Sequence, residues 1–343
     1  MNLLNNNNVW RADNLPDGFS FADGVLSGNP SARGVYDVPI TVSNSLGSST
    51  QIIRIRTQYR DDVTILQNGA VLETLRLPAL IASIQDASAL SKYNCSNTQM
   101  LINIQHPLTG ETIHDVPLNF CSFRTVNLEN GSTKTGLILQ FARSLWKGFA
   151  PFSTNSFNRW KYSQLRKWLN ASGDNWFTSS YTTDILTPHQ GSYTDTGSLG
   201  FLSCLPSALV EAIVPVKVVT QAFFDDNNTD NAIDDPDYID GLDADVTYDK
   251  VFIPSLSEMA ISSEGYNNFP DETLEGTAWE FYSALNNDSA IAQDLDGNSC
   301  SITTRSAVID GNTQVIYVNS SLLPSVSGSY YSEAATAPAF VIA

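Results

Sequence analysis

Short alternations of apolar and polar residues fill the first sixty positions. In "VYDVPITVS" Val35, Asp37, Pro39, Thr41 and Ser43 share one face, and Tyr36, Val38, Ile40 and Val42 share the other. Ile53 and Ile55 alternate with Arg54 and Arg56 in the same way. A period of two belongs to strands. Turn signals punctuate the runs: Pro16-Asp17-Gly18, Asp23-Gly24, Gly28-Asn29-Pro30, Arg33-Gly34 and Leu46-Gly47. The pattern predicts antiparallel strands in a sandwich over residues 15–57, preceded by an arm at 1–14. Residues 58–109 read as a β-rich connecting region, with Asn68-Gly69 between apolar runs as a hairpin signal. Asn130-Gly131 repeats that signal. The unbroken apolar run "LILQF" at 137–141 predicts a strand buried on both faces.

The period changes at "NRWKYSQLRKWLN", residues 158–170. Ser163 can cap a helix and Asn170 can end one. Leu165, Trp168 and Leu169 stand at i, i+3 and i+4, which makes one apolar stripe. Arg166 and Lys167 fall off the stripe, so they are either solvated or paired with acids elsewhere. The segment reads as a corner of a core, with the tryptophan turned inward. A nucleic-acid helix would need a second basic element, and none is found.

Charge supports that choice. Net charge is −18, with 18 Lys and Arg against 36 Asp and Glu in 343 residues. A phosphate backbone or an anionic membrane surface needs the opposite balance. Only 16% of residues are charged, which suits a β-rich chain better than a helical one. No apolar run reaches the length of a bilayer span. The start "MNLLNNNNVW" lacks the basic and apolar regions of a secretory signal, so a cytosolic product, or one carried out within a larger particle, is expected. Cys95, Cys121, Cys204 and Cys300 are widely spaced and contain no C-x-x-C, which predicts buried free thiols.

Candidate chemistry is sparse. Residues 225–249 hold ten Asp and neither Lys nor Arg. Within them Asp226, Asn228 and Asp230 keep the 1, 3, 5 spacing of oxygen ligands for Ca²⁺, and Asp235 and Asp237 could add to the set. Asn231 and Asp237 replace the Gly and Glu of an EF-hand, so a solvated acidic loop is the competing reading, and no cofactor is required. His106, His114 and His189 fit no catalytic motif. Glu258 and Glu280 could only be judged as a glycosidase pair in three dimensions. The chain is therefore read as no enzyme. Arg305 is expected to pair with a buried carboxylate or carbonyl rather than with a ligand. Tyr330 and Tyr331, set among Ser and Gly, have the composition of a recognition surface. With Thr303, Ser306, Asp310, Asn312, Tyr317 and Asn319 they form the candidate ligand-binding set.

Two resemblances extend these readings. Leu15, Pro16, Gly18, Phe21, Gly24, Leu26, Gly28, Pro30, Gly34, Tyr36, Asn44 and Gly47 follow a pattern that resembles the immunoglobulin-like repeat of bacterial surface and phage proteins, which implies a spacer. Farther on, Asn158, Trp160, Ser163, Leu165, Arg166, Trp168, Leu169 and Asn170 are followed by Gly200-Phe201-Leu202, and then by Phe252, Pro254, Ser255 and Glu258. Arg305-Ser306 and Pro338-Ala339-Phe340 complete the order. This order resembles family 6273 of the domains of unknown function, common in phage and prophage proteins and in some bacterial surface proteins. Ile302-Thr303-Thr304 and Ala337 depart from its pattern, at positions expected near a ligand face. The closing pattern is also similar to C-type-lectin-like domains of the formylglycine-enzyme type. In phage tropism proteins of that fold the late loops bind the receptor, and mutagenic reverse transcription diversifies some of them.

The resulting expectation is an α+β protein: an all-β immunoglobulin-like sandwich followed by a β-rich α+β, C-type-lectin-like domain at 110–343. It would sit on a virion surface after assembly in the host cytosol, alone or as a homo-oligomer beside other virion proteins. Its ligand would be a host cell-surface protein or glycan, with no nucleic acid bound and no membrane insertion. The alternatives are a carbohydrate-active enzyme of a tail and an architectural capsid or tail protein without a ligand.

Overall fold

The computed structural model describes residues 8–28, 34–57, 62–86, 91–145, 159–173, 199–221, 238–239, 244–262, 269–270, 274–285, 293–308, 314–319, 323–328 and 335–343. It divides into two compact units, Met1–Asp62 and Val63–Ala343. The whole is β-rich with few, short helices.

In the first unit the alternating runs become β1 (Val9–Ala12), β2 (Phe19–Ala22), β3 (Val25–Gly28), β4 (Gly34–Asn44) and β5 (Gly47–Thr57). Strands β2 and β3 form a hairpin, while β1, β4 and β5 form a sheet in that order. All pairings are antiparallel, as the alternation predicts. Val9–Ala12 pairs with Ile40–Ser43, so the expected arm contributes a sheet strand. Among the described side chains of this unit only Pro16 and Val38 are buried. Val38 lies on the predicted inner face, whereas Ile53 on β5 is 46% exposed.

The second unit starts earlier than its sequence suggests. Strands β6 (Asp62–Gln67), β7 (Ala70–Arg76), β8 (Thr98–Gln105), β9 (Thr112–Asn127) and β10 (Thr133–Phe141) enter one seven-stranded sheet. The region expected to connect two domains is thus part of the second unit's framework. Helix α1 (Leu77–Ile84) covers part of it with Leu77, Leu80 and Ile84. Asn68 and Gly69 both take positive φ, 51° and 75°, as a tight two-residue hairpin requires. Leu137–Phe141 is buried throughout, and β10 is an interior strand, with β9 on one side and the C-terminal strand β18 (Ala339–Ile342) on the other.

The remaining elements pack around this sheet. A 3₁₀ turn, η1 (Trp160–Tyr162), leads into α2 (Gln164–Asn170), and α3 (Phe201–Cys204) and α4 (Ser207–Ala212) follow. Strands β11 (Val216–Gln221), β12 (Tyr238–Ile239) and β13 (Ala244–Asp249) form a small antiparallel sheet in the order β11-β13-β12. Strand β14 (Val251–Phe252) joins the large sheet beside β18. Helix α5 (Glu280–Ala284) precedes the last sheet, β15 (Ile302–Ala307), β16 (Gln314–Val318) and β17 (Pro324–Gly328). The final strand therefore returns to the middle of the core, and all four of its residues are buried.

Candidate functional site

The tryptophan-bearing segment is internal. Trp160 is 0% exposed and Trp168 1%, and all seven residues of α2 are buried. Ser163 caps the helix as predicted, its hydroxyl accepting from the Arg166 amide at 2.9 Å. The basic residues find acids at the end of the aspartate-rich tract. Arg159 grips Asp245 with two nitrogens, one of them Nε at 2.8 Å. The Asp249 carboxylate accepts from Arg166 Nε at 2.6 Å, Trp160 Nε1 at 2.9 Å and the Thr247 hydroxyl at 2.7 Å. Asp245, Thr247 and Asp249 can act together because alternate residues of β13 share a face. Burial lowers the pKa of Lys167 on the same helix.

Asn170 ties this helix to β14. Its side chain donates to the Val251 carbonyl at 2.7 Å and to the Arg166 carbonyl at 3.0 Å. Its oxygen accepts from the amides of Lys250 and Val251 at 2.9 and 3.0 Å. Trp168 Nε1 donates to the Leu199 carbonyl at 2.9 Å. Just beyond, Gly200 packs so tightly that a Cβ there would lie 2.5 Å from the Ala171 carbonyl oxygen. The glycine of the "GFL" run is a close-approach residue.

A second buried cluster centres on Arg305. Its guanidinium donates to Glu258 and to the carbonyls of Ile253 and Glu275, each at 2.8 Å for the carbonyls. It also lies 5.8 Å from the centre of the Phe252 ring. This is the partnership expected for Arg305. The Ser306 hydroxyl donates to Glu275 and accepts from the Leu256 amide at 2.9 Å. Glu275 also accepts from the Gln221 amide at 2.9 Å. Burial pushes the Glu275 carboxyl up to about 7; Arg305, Ser306 and the Gln221 amide pull against that rise, and Glu258 adds to it. Gly276, at φ 119°, lets the chain pass Glu258, whose side chain a Cβ would approach to 3.2 Å. Sequence reasoning missed Glu275, Asp245 and Asp249 as partners. The i, i+4 spacing of the two aspartates within the alternating "ADVTYD" was the available signal.

The candidate recognition residues separate. Thr303 and Ser306 are 2% and 0% exposed, which corrects their placement on an outer face. Arg305 reaches internal acceptors, and its strand neighbours go inward with it. The two departures from the family pattern are also internal: Ile302, Thr303, Thr304 and Ala337 are all buried. Tyr317 and Asn319, on and just after β16, are half-buried. Asp310, Asn312, Tyr330 and Tyr331 lie outside the described residues, as do Asp226, Asn228, Asp230, Asp235 and Asp237 of the Ca²⁺ candidate. No group of three His, Cys, Asp or Glu residues that could hold a metal occurs among the described residues.

The catalytic candidates are committed elsewhere. Glu258 holds Arg305, while Glu280 is largely exposed and 3.7 Å from Arg124. His106 accepts from the amides of Leu108 and Thr109 through Nδ1, so it closes a turn. His189 lies outside the described residues. All four cysteines are buried. Burial raises the Cys95 and Cys204 thiols to about 12 and lifts Cys121 well above its ordinary value, which suppresses thiolate chemistry. Among the described residues no helix is long and apolar enough to cross a membrane.

The family described as a domain of unknown function, DUF6273, matches residues 150–343, more than half of the chain. The matched stretch includes both buried clusters and the closing strand, while β6–β10 of the large sheet precede it. No curated protein and no solved structure matches the chain.

Proposed function

This chain belongs to the DUF6273 family, and from that premise we propose that it is a non-enzymatic protein of a phage or prophage particle, presenting its second unit to a ligand on the host surface. The supporting observation is how the motif residues are used. Trp160, Arg166, Trp168, Asn170, Glu258 and Arg305 direct their polar groups to one another, to aspartates and to backbone. Residues so bound hold the fold and are not available to a ligand.

Strands β16 and β17 of the last sheet carry side chains that can meet another molecule. Gln314, Leu323 and Val326 are exposed there, and Tyr317 and Asn319 are half-buried. In this reading the first unit is an immunoglobulin-like spacer and the second a C-type-lectin-like domain. The return of β18 to the large sheet, between β14 and β10, fits such a closure. The acid with a raised pKa that a glycosidase would use is here Glu275, and at 1% exposure it is sealed from substrate. That favours binding over catalysis.

The test is competition. Purified chain added to host cells should reduce adsorption of the phage that encodes it at least tenfold. A Tyr317→Ala/Asn319→Ala chain should compete more weakly at equal concentration. Undiminished adsorption at saturating protein would overturn the proposal.

A further inference from the structure

Among the described residues, the sheet of the first unit ends on a long, regular edge. Strand β5 pairs with β4 through all eleven of its residues, with no shift of register, and is last in the sheet order. Protein sheets guard such edges with short strands, charged side chains, proline or bulges. The opposite edge, β1, is only four residues long. Strand β5 has neither proline nor lysine, its charges are confined to Arg54 and Arg56 near one end, and every residue from Gly47 to Arg54 is exposed.

One hydrogen bond tells which backbone groups point outward. The Asp13 amide donates to the Pro39 carbonyl at 3.0 Å, so that carbonyl faces β1. A strand residue in an antiparallel ladder turns its N–H and C=O to the same side. Pro39 therefore turns both away from β5, and a proline is tolerated in this central strand because it removes no donor to β5. Its cross-strand partner is Ile52, which consequently sits in a non-hydrogen-bonded pair. The N–H and C=O of Ile52 point away from the sheet, and those of Ser48, Thr50, Arg54 and Arg56 do the same.

We propose that this edge pairs antiparallel with β5 of a second copy of the chain, about a two-fold axis through Ile52. In that register Ile52 meets its own counterpart, Thr50 meets Arg54, Ser48 meets Arg56 and Gly47 meets Thr57. All eleven residues are used, and each outward-pointing residue meets another. A slip of one residue would set outward-pointing against inward-pointing groups and forfeit the ladder. Charge fits the same register. The only charged residues of β5, Arg54 and Arg56, face Thr50 and Ser48 rather than each other, and Arg54 is already paired with Asp37 at 2.8 Å. Ile52, 64% exposed, gains an apolar partner at the axis. A unit that buries only Pro16 and Val38 among its described side chains gains a doubled sheet.

Cysteine scanning of the full chain tests the register. The native thiols are buried, so an introduced surface thiol is the reactive one. Facing residues of a hydrogen-bonded pair have Cα atoms about 5.5 Å apart, within disulfide reach. Ile52→Cys should therefore oxidise to a covalent dimer at least tenfold faster than Thr50→Cys, whose counterparts stand about 13 Å apart. Sedimentation equilibrium should give a dimer for the unaltered chain. Ile52→Pro, which removes an outward donor, and Ile52→Lys, which places like charges at the axis, should each weaken it at least tenfold. Equal crosslinking at positions 50 and 52, a monomer at every concentration, a trimer, or a dimer indifferent to both variants would overturn the proposal.

Discussion

Replacing Asp249 with alanine is expected to destabilise the second unit by about 3–5 kcal/mol, the usual cost of removing one partner from a buried ion pair. The side chain is 0% exposed and receives three donors, from Arg166, Trp160 and Thr247. Alanine would remove the acceptor that an indole N–H and a hydroxyl share, and would leave the Arg166 guanidinium buried beside the Lys161 carbonyl with no carboxylate at position 249. Since a domain has only about 5–15 kcal/mol in all, the denaturant midpoint of the second unit should fall steeply. Asp37→Ala is the matched control. It removes the carboxylate from an ion pair with Arg54 of similar length on the surface of the first unit, where solvent screens the interaction. Its midpoint should stay near that of the unaltered chain. Equal effects of the two substitutions would mean that the aspartate-to-tryptophan cluster does not hold the unit together.

Glu275→Gln should remove a pH dependence. Burial raises the Glu275 carboxyl from 4.5 to about 7 in the folded chain. Between those values the native state keeps a proton that the unfolded state has released. Stability is therefore fully present below about pH 4.5 and is lost as pH rises through 7. The groups facing Glu275 are Arg305 and Ser306 from β15, Glu258 from the turn after β14, and the Gln221 amide from β11. A shift of this size corresponds to about 3 kcal/mol at most. Glutamine resembles the protonated acid and carries no charge to desolvate. The variant should be more stable than the unaltered chain at pH 8 and close to it at pH 5. Denaturation midpoints at the two pH values measure this directly. An unchanged pH slope in Glu275→Gln would show that the proton resides elsewhere.

The strands of the first unit were legible because alternation and turn residues are local signals. The hairpin at Asn68-Gly69, the cap at Ser163 and the doubly buried run at 137–141 were readable for the same reason. What local pattern cannot carry is pairing across long separations. Asp245 and Asp249 read as the tail of a solvated acidic tract, yet they are the acceptors for Arg159 and Arg166 more than eighty positions earlier. Residues 58–109 read as a connector because nothing local says that β6 to β8 share a sheet with a strand ending at Ile342. Thr303 and Ser306 were placed outside because they stand at or beside a departure from the family pattern, where a ligand face was expected. The Arg305 network, assembled from four separate segments, is what brings them in. Arg305 itself was read correctly as the partner of a buried carboxylate and of carbonyls.

Arginine-selective labelling of the native chain, read residue by residue by mass spectrometry, tests most directly whether the family's charged motif residues are internal struts. Arg11 and Arg54, with side chains 74% and 73% exposed, should react promptly. Arg159, Arg166 and Arg305, with side chains 8%, 7% and 1% exposed, should stay protected until denaturant is added. Labelling of Arg166 or Arg305 at the rate of Arg54 in the folded protein would contradict the account.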